Sequence, residues 1–243
     1  MYKLGKTPAR LDSVKLKFAD YKSLPSIPTS EKATDLSWGM LGNDQYGDCV
    51  WAGAGHETMS WNHEAGKNVV FSDKSVLSDY SKVTGFNPND PNTDNGTDMQ
   101  VAASYRKKTG VIDAQGVRHK VGAYVAITPG NVQEVKEAIY LFGAVGIGFQ
   151  FPDYAMDQFN AGQSWHYKPG GKIVGGHYVS AVGYSSTYCY VVSWGKIQKM
   201  TWKFLRVYMD EGVVYLSTEF LTGGKSLENF DLPTLKTDLA ALT

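Results

Sequence analysis

The 243-residue chain holds only two cysteines and five histidines. Two thiols in a chain of this length make no disulfide framework, so stability must come from an ordinary apolar core, which 243 residues are enough to build. An excess of charge of one sign is missing as well, since 24 Lys and Arg are balanced by 24 Asp and Glu. With no net field, nothing draws the chain to nucleic acid or to an anionic membrane. No apolar run approaches the ~20 residues that span a bilayer. Nor do the first residues, Met1 to Pro8, carry the apolar stretch of a secretory signal. The expectation is a protein kept in a reducing compartment.

Scarcity makes the search for chemistry short. Cys49 lies in Gly42-Asn43-Asp44-Gln45-Tyr46-Gly47-Asp48-Cys49-Val50-Trp51-Ala52, a glycine-punctuated loop that opens a helical pattern. A thiol at a helix N-terminus meets the positive end of the helix dipole, which favours the thiolate. Cys189, between Tyr188 and Tyr190 on an apolar strand, reads as inert packing. Of the histidines, His56 and His63 sit on the cysteine's own helix and read as capping, packing or solvent-facing residues. His119 reads as a surface residue in a charged stretch, and His166 as part of a Pro- and Gly-flanked loop. His177 differs: it opens the apolar run Gly175-Gly176-His177-Tyr178-Val179-Ser180-Ala181-Val182-Gly183-Tyr184, where a buried strand would hold it rigidly.

Gly-Asp-Cys-Val-Trp-Ala at a helix start, with Gly-His-Tyr-Val-Ser-Ala-Val-Gly-Tyr beginning just before a histidine 128 residues after the cysteine, resembles the papain-like cysteine peptidases. The separation is close to the roughly 130–150 residues between cysteine and histidine in that family. Tyr190-Val191-Val192-Ser193-Trp194-Gly195 is similar to the strand carrying the family's Asn-Ser-Trp-Gly, and Asn95-Gly96-Thr97 is similar to a segment of its helical half. The resemblance runs from about Leu36 to Ser217. It implies a two-lobed α+β fold with the site between a helical half and an antiparallel sheet or barrel. It also implies a Cys49–His177 dyad acting on a peptide-type amide through a thioester, with Trp194 shielding the site and no metal or organic cofactor. Within the family it lies nearer to bacterial and phage proteins, which implies a cytoplasmic or virion-associated place.

The departures are specific. Val192 stands where the family has the Asn that orients the histidine ring, so the triad loses its orienting member unless Ser193, a backbone carbonyl, or a carboxylate such as Asp210 or Glu211 substitutes. The family's oxyanion-hole Gln falls on Asn43, while Gln45 has the right side chain at the wrong spacing. Asp48 beside the thiol opposes a thiolate unless it caps the helix instead. These changes keep a second reading open: a catalytically degenerate module with a structural or binding role in a virion or surface assembly.

Three parts are expected: a basic arm over residues 1–34, a body over 35–222 and a tail over 223–243. In the arm Val14, Leu16 and Phe18 alternate with Lys15 and Lys17 as in an edge strand, before Pro25 and Pro28. The arm is expected to lie on the surface or to engage a partner, with a pro-segment as a further reading; the leucine stripe Leu232, Leu235, Leu239 and Leu242 is expected to dock or to bind another chain. Helices are predicted over Cys49–Glu64, from Ser72 or Asp73 to Gly85, over Asp98–Lys108, from Val132 to Phe142 and over Met200–Met209. Strands are predicted over Val121–Thr128, Ala144–Phe149, Val213–Ser217 and in a hairpin of His177–Tyr184 with Tyr188–Trp194. Asp90, Asn92 and Asp94 imitate the start of a calcium loop, but Gly96 falls one place late and Val101 replaces the closing Glu, so a plain loop is expected.

Overall fold

The structure, a computed structural model, describes residues 2–10, 14–23, 26–33, 35–221 and 229–242. Pro25 and the boundaries expected beside residues 34 and 222 fall on positions outside these.

Helix α1 (Cys49–Glu64) is buried from Cys49 through Asn62, around its whole circumference, so it is a central element rather than a surface one. Helices α2 (Asp73–Thr84) and α3 (Met99–Lys108) pack beside it, and a short hairpin of β1 (Val111–Ile112) and β2 (Arg118–His119) completes the helical lobe. Local chemistry marks the ends: Ser72 and Ser75 cap α2 reciprocally, Gly85 ends it in the left-handed region, and the Asp98 carboxylate accepts from the N–H groups of Gln100 and Val101.

The second lobe is a six-stranded, wholly antiparallel sheet. It contains β3 (Val121–Ile127), β4 (Val145–Pro152), β5 (Ile173–Tyr184), β6 (Tyr188–Ser193), β7 (Lys196–Thr201) and β8 (Met209–Ser217), in the spatial order β3-β8-β4-β5-β6-β7. Helices α4 (Val132–Phe142), α5 (Asp153–Asn160) and α6 (Trp202–Tyr208) accompany it. Two apolar cores flank the sheet, one between it and α4–α6 and the other between it and α1–α3. Helix α1 lies against β5, so the start of the cysteine helix meets the histidine strand where the lobes join. This is the papain-like α+β two-lobed architecture.

Packing at that seam is close. A Cβ on Gly53 would lie 2.3 Å from the Tyr178 ring, and one on Gly146 would lie 2.0 Å from its hydroxyl oxygen. Tyr178 is thereby slotted between helix and sheet, and its hydroxyl donates to Glu57 Oε1 at 2.5 Å. Glu57 in turn is paired with the buried Arg106 at 2.6 Å.

Some expectations need correction. Met200 is not helical: it pairs with Cys189 in the sheet, and the helix begins at Trp202, capped by the Thr201 side chain. The alternation of Val14, Leu16 and Phe18 makes no strand beyond an isolated bridge from Lys17 to Ala126, and Phe18–Tyr21 forms a 3-10 turn that buries Phe18 and Tyr21. His119 is buried, not superficial: its Nδ1 is 2.6 Å from Glu219 and its Nε2 3.1 Å from Asp113. Helix α5 lies in a stretch that carries no sequence signature. The tail forms α7's successor: after α7 (Thr218–Leu221), α8 (Leu232–Ala241) docks on the body by burying Leu235, and Tyr21 of the arm donates to Asp238 at 2.5 Å.

Candidate active site

Four segments build the site. The loop before α1 supplies Asn43 and delivers Cys49 to the first turn of the helix; β5 supplies His177 and Tyr178; β6 supplies Val192 and Ser193, with Trp194 just beyond its end. The loop is held by Asp94, the last acidic residue of the Asp90-Asn92-Asp94 run. Asp94 accepts from the Gly47 N–H at 3.0 Å and from the Tyr80 hydroxyl at 2.7 Å, tying the cysteine loop to α2.

Cys49, His177, Asn43, His56, Tyr178, Val192, Ser193 and Trp194 line one small space of about 10 Å³, room for at most one water molecule. His177 Nε2 lies 2.8 Å from Ser193 Oγ. A hydroxyl both donates and accepts, so this one bond serves the neutral ring and the protonated ring alike. Val192, in the position of the expected Asn, is buried and offers nothing to the imidazole; of the substitutes considered, the neighbouring serine is the one in contact. His177 Nδ1 is buried and has no hydrogen-bond partner among the described residues. The Trp194 indole stacks on the imidazole with centroids 4.3 Å apart, from a backbone at φ 45° that a non-glycine residue seldom adopts.

Asn43 is buried and lines this space, with its amide donating to Tyr46 O at 3.0 Å. Gln45 is exposed and lies outside it. Asp48 occupies the N-cap position of α1 without capping it: its carboxyl is buried beside Asn43, and burial pushes its pKa well up. Asp48 still adds to the upward shift of the Cys49 thiol, an effect that weakens as its carboxyl becomes neutral. His56 packs: its Nε2 lies 3.1 Å from the carbonyl oxygens of both Trp38 and Gly39, so that nitrogen carries the proton, and burial lowers the ring's pKa to about 4.

The N-terminal arm runs through the junction of the lobes and closes it. Tyr2 stacks on Trp194, and Lys3 O accepts from the Trp194 indole at 3.3 Å. Gly5 O accepts from Thr97 N–H at 2.7 Å, Lys6 N–H donates to Gly176 O at 3.1 Å, and Thr7 N–H donates to Thr97 O at 3.1 Å. Main-chain bonds thus go to both lobes, as for a peptide added between them. Glycines make the fit possible. A Cβ on Gly5 would sit 1.8 Å from Gly47 O, one on Gly96 would sit 2.1 Å from Gly5 O, and one on Gly176 would sit 2.3 Å from Lys6 O. Closure sets the electrostatics. Burial pushes the Cys49 thiol up to about 12, although the N–H groups of Tyr178 and Gly5 and the charge of Lys6 pull the other way. Burial alone pushes His177 down to about 3. In this closed form both groups are neutral.

No protein-family model matches the sequence, and no curated protein is significantly similar to it. Solved structures are similar in fold. Xylellain, a cysteine protease from Xylella fastidiosa, superposes with a TM-score of 0.69 at 13% identity, over 89% of this chain and 97% of that one. Procathepsin B S9 from Trypanosoma congolense gives 0.64 at 13% identity, over 88% and 86%. Procathepsin L 3 of the Tenebrio molitor larval midgut gives 0.60 at 14% identity, over 86% and 75%. The fold is papain-like. Identities this low carry the architecture and not the chemistry, which has to be argued from the residues.

Among the described residues no group of His, Cys, Asp and Glu is arranged to hold a metal ion, and no helix is long and apolar enough to cross a membrane.

Proposed function

We propose that the chain is a cysteine peptidase whose cleft is closed by its own N-terminal arm. The observation that carries the reading is the pair of environments around one ring: His177 Nε2 is anchored on Ser193, while Nδ1 is left unpartnered in the small space that Cys49 shares. A ring held at one nitrogen and free at the other is what proton exchange with a thiol requires. With the arm withdrawn, water reaches both groups, the desolvation that keeps them neutral is relieved, and the helix N-terminus favours the thiolate.

His177 then takes the Cys49 proton, and the sulfur forms a bond to the carbonyl carbon of a peptide while the C=O pair moves onto oxygen. The Cys49 N–H and the Asn43 amide are the donors for that oxyanion. Collapse breaks the C–N bond, and the leaving amine takes the proton from His177. Water gives a proton to His177 as its oxygen bonds to the thioester carbon. The C–S bond then breaks, the carboxylic acid leaves, and the sulfur takes the proton back from His177. Ser193 acts as a positioning residue through the imidazole, and Trp194 keeps bulk water off it.

A second reading is favoured by the sealed thiol and by Val192: a papain-like fold retired from catalysis and used for binding. Iodoacetamide separates the two. In a variant with the arm displaced, Gly5→Val, Cys49 should be alkylated near neutral pH at least about tenfold faster than the buried Cys189, and Cys49→Ala should abolish both this labelling and peptide hydrolysis. Equal, slow labelling of the two cysteines with the arm displaced would sink the peptidase reading.

A further inference from the structure

The arm does more than cover the thiol, because one of its side chains enters a pocket of its own. Lys6 points into the junction between the lobes with a side chain of 0% exposure. Its Nζ lies 3.0 Å from Asp210 Oδ2, 3.1 Å from Glu211 Oε1 and 3.0 Å from Thr7 O. The alkyl stem is accommodated by an absence: a Cβ on Gly148 would stand 2.3 Å from Lys6 Cε and 2.5 Å from Met99 Sδ. The pocket therefore has an apolar neck, made by Met99 of α3 and the bare backbone of β4, and an acidic floor supplied by β8. A fully buried ammonium is costly unless charges and hydrogen bonds compensate it, and here two carboxylates and a carbonyl do so. Asp210 Oδ1 is also buried, with no partner among the described residues. It is a spare acceptor of the kind a forked guanidinium would use.

We infer that the pocket formed by Met99, Gly148, Asp210 and Glu211 selects a lysine or arginine side chain of a bound peptide, and that Lys6 fills it in cis. The inference rests on the reading that this cleft receives peptides. The main chain on either side of Lys6 is already bonded as such a peptide would be, to Gly176 in one lobe and Thr97 in the other. An acidic or apolar side chain at the same place would leave the largely buried Asp210 and Glu211 carboxylates without a facing cation.

The full-length protein is enough for the test. Lys6→Glu places a third carboxylate in the pocket and should release the arm, so alkylation of Cys49 by iodoacetamide should rise at least about tenfold, with Cys189 as the unreactive reference. A synthetic peptide of residues 2–10 added to this variant should then protect Cys49. The same peptide with Glu or norleucine in place of its Lys6 should protect at least about tenfold less well, and one with Arg should protect as well as the parent. Adding Asp210→Asn and Glu211→Gln to the variant should erase the discrimination. Equal protection by all peptides, discrimination that survives loss of both carboxylates, or an unchanged labelling rate in Lys6→Glu would each overturn the proposal. Should Lys6→Glu fail to fold, Lys6→Met, which strands the same two carboxylates without adding a charge, is read in the same way. These readouts need no turnover. A protein that discriminates but hydrolyses nothing keeps the pocket and loses the peptidase; one that hydrolyses peptides without favouring basic residues does the reverse.

Discussion

Ser193 shows how much of the site turns on one hydroxyl. Its contact with His177 Nε2 replaces the Asn that the motif leads one to expect, and it was only one of several groups that the sequence allowed in that role. Ser193→Ala leaves a buried imidazole nitrogen without a partner, so it should cost about 1–3 kcal/mol in denaturant unfolding. In the arm-released protein it should also lower kcat more than it raises KM, since the ring loses its orientation and the substrate loses nothing. His119 makes a separate case. Burial opposes its charge, but the carboxylates of Glu219 and Asp113 outweigh burial and raise its pKa above the ordinary value. A raised histidine stabilises the fold fully below the unfolded value of about 6.5 and loses that contribution as the pH climbs through the folded value. Unfolding free energies measured across this interval should therefore fall with rising pH, and His119→Gln should flatten that part of the profile. The sequence could not place His119, because its partners Asp113 and Glu219 come from a hairpin and a helix separated by the whole sheet lobe.

At the scale of elements, the seam between α1 and β5 decides whether cysteine and histidine meet at all. Most elements were legible in advance, since α2, α3 and α4 carry caps and terminal glycines and the hairpin of β5 and β6 carries its apolar runs. Met200 departs from the expected helix because apolar periodicity cannot distinguish a strand's last residues from a following helix when one runs straight into the other. The seam itself was not legible. Gly53→Ala should overpack Tyr178 and destabilise the protein by about 1–3 kcal/mol, as read by urea or thermal unfolding. Arg106→Met should cost more, about 3–5 kcal/mol, because it strands the buried Glu57 carboxylate beneath the site. If Arg106→Met unfolds at the wild-type midpoint, the pair does not brace the seam.

For the whole molecule the arm is the deciding feature, and its closure depends on pH. Closed, His177 has its pKa held near 3; open to water, it would return toward about 6.5. The open form binds more protons over that interval, so the histidine's contribution to closure is full above about pH 6.5 and is lost as the pH falls toward 3. The Cys49 thiol, pushed up to about 12 when closed, contributes with the opposite sign and loses its share as the pH rises above its open-form value. Hydrogen-exchange protection of the Lys6 and Thr7 amides, corrected for intrinsic rates, should decline as the pH falls toward 3. His177→Gln should remove the histidine's share of the decline, and protection that does not change with pH would contradict this account.

The sequence by itself determined the fold class, the thiol at a helix start and the histidine on an apolar strand, because each is written in local spacing, glycine placement and apolar period. The strand begins at Ile173, so His177 lies within it rather than at its mouth. The sequence also left a mark at Val192 that something else must hold the ring. Only the tertiary structure decided that Ser193 contacts it, that Asn43 and not Gln45 lines the space beside the thiol, and that the arm lies in the cleft with Lys6 in an acidic pocket. The reason is physical. Those relations join segments from opposite ends of the chain, and the glycines and carboxylates that receive the arm acquire their meaning only when two lobes are brought together around it.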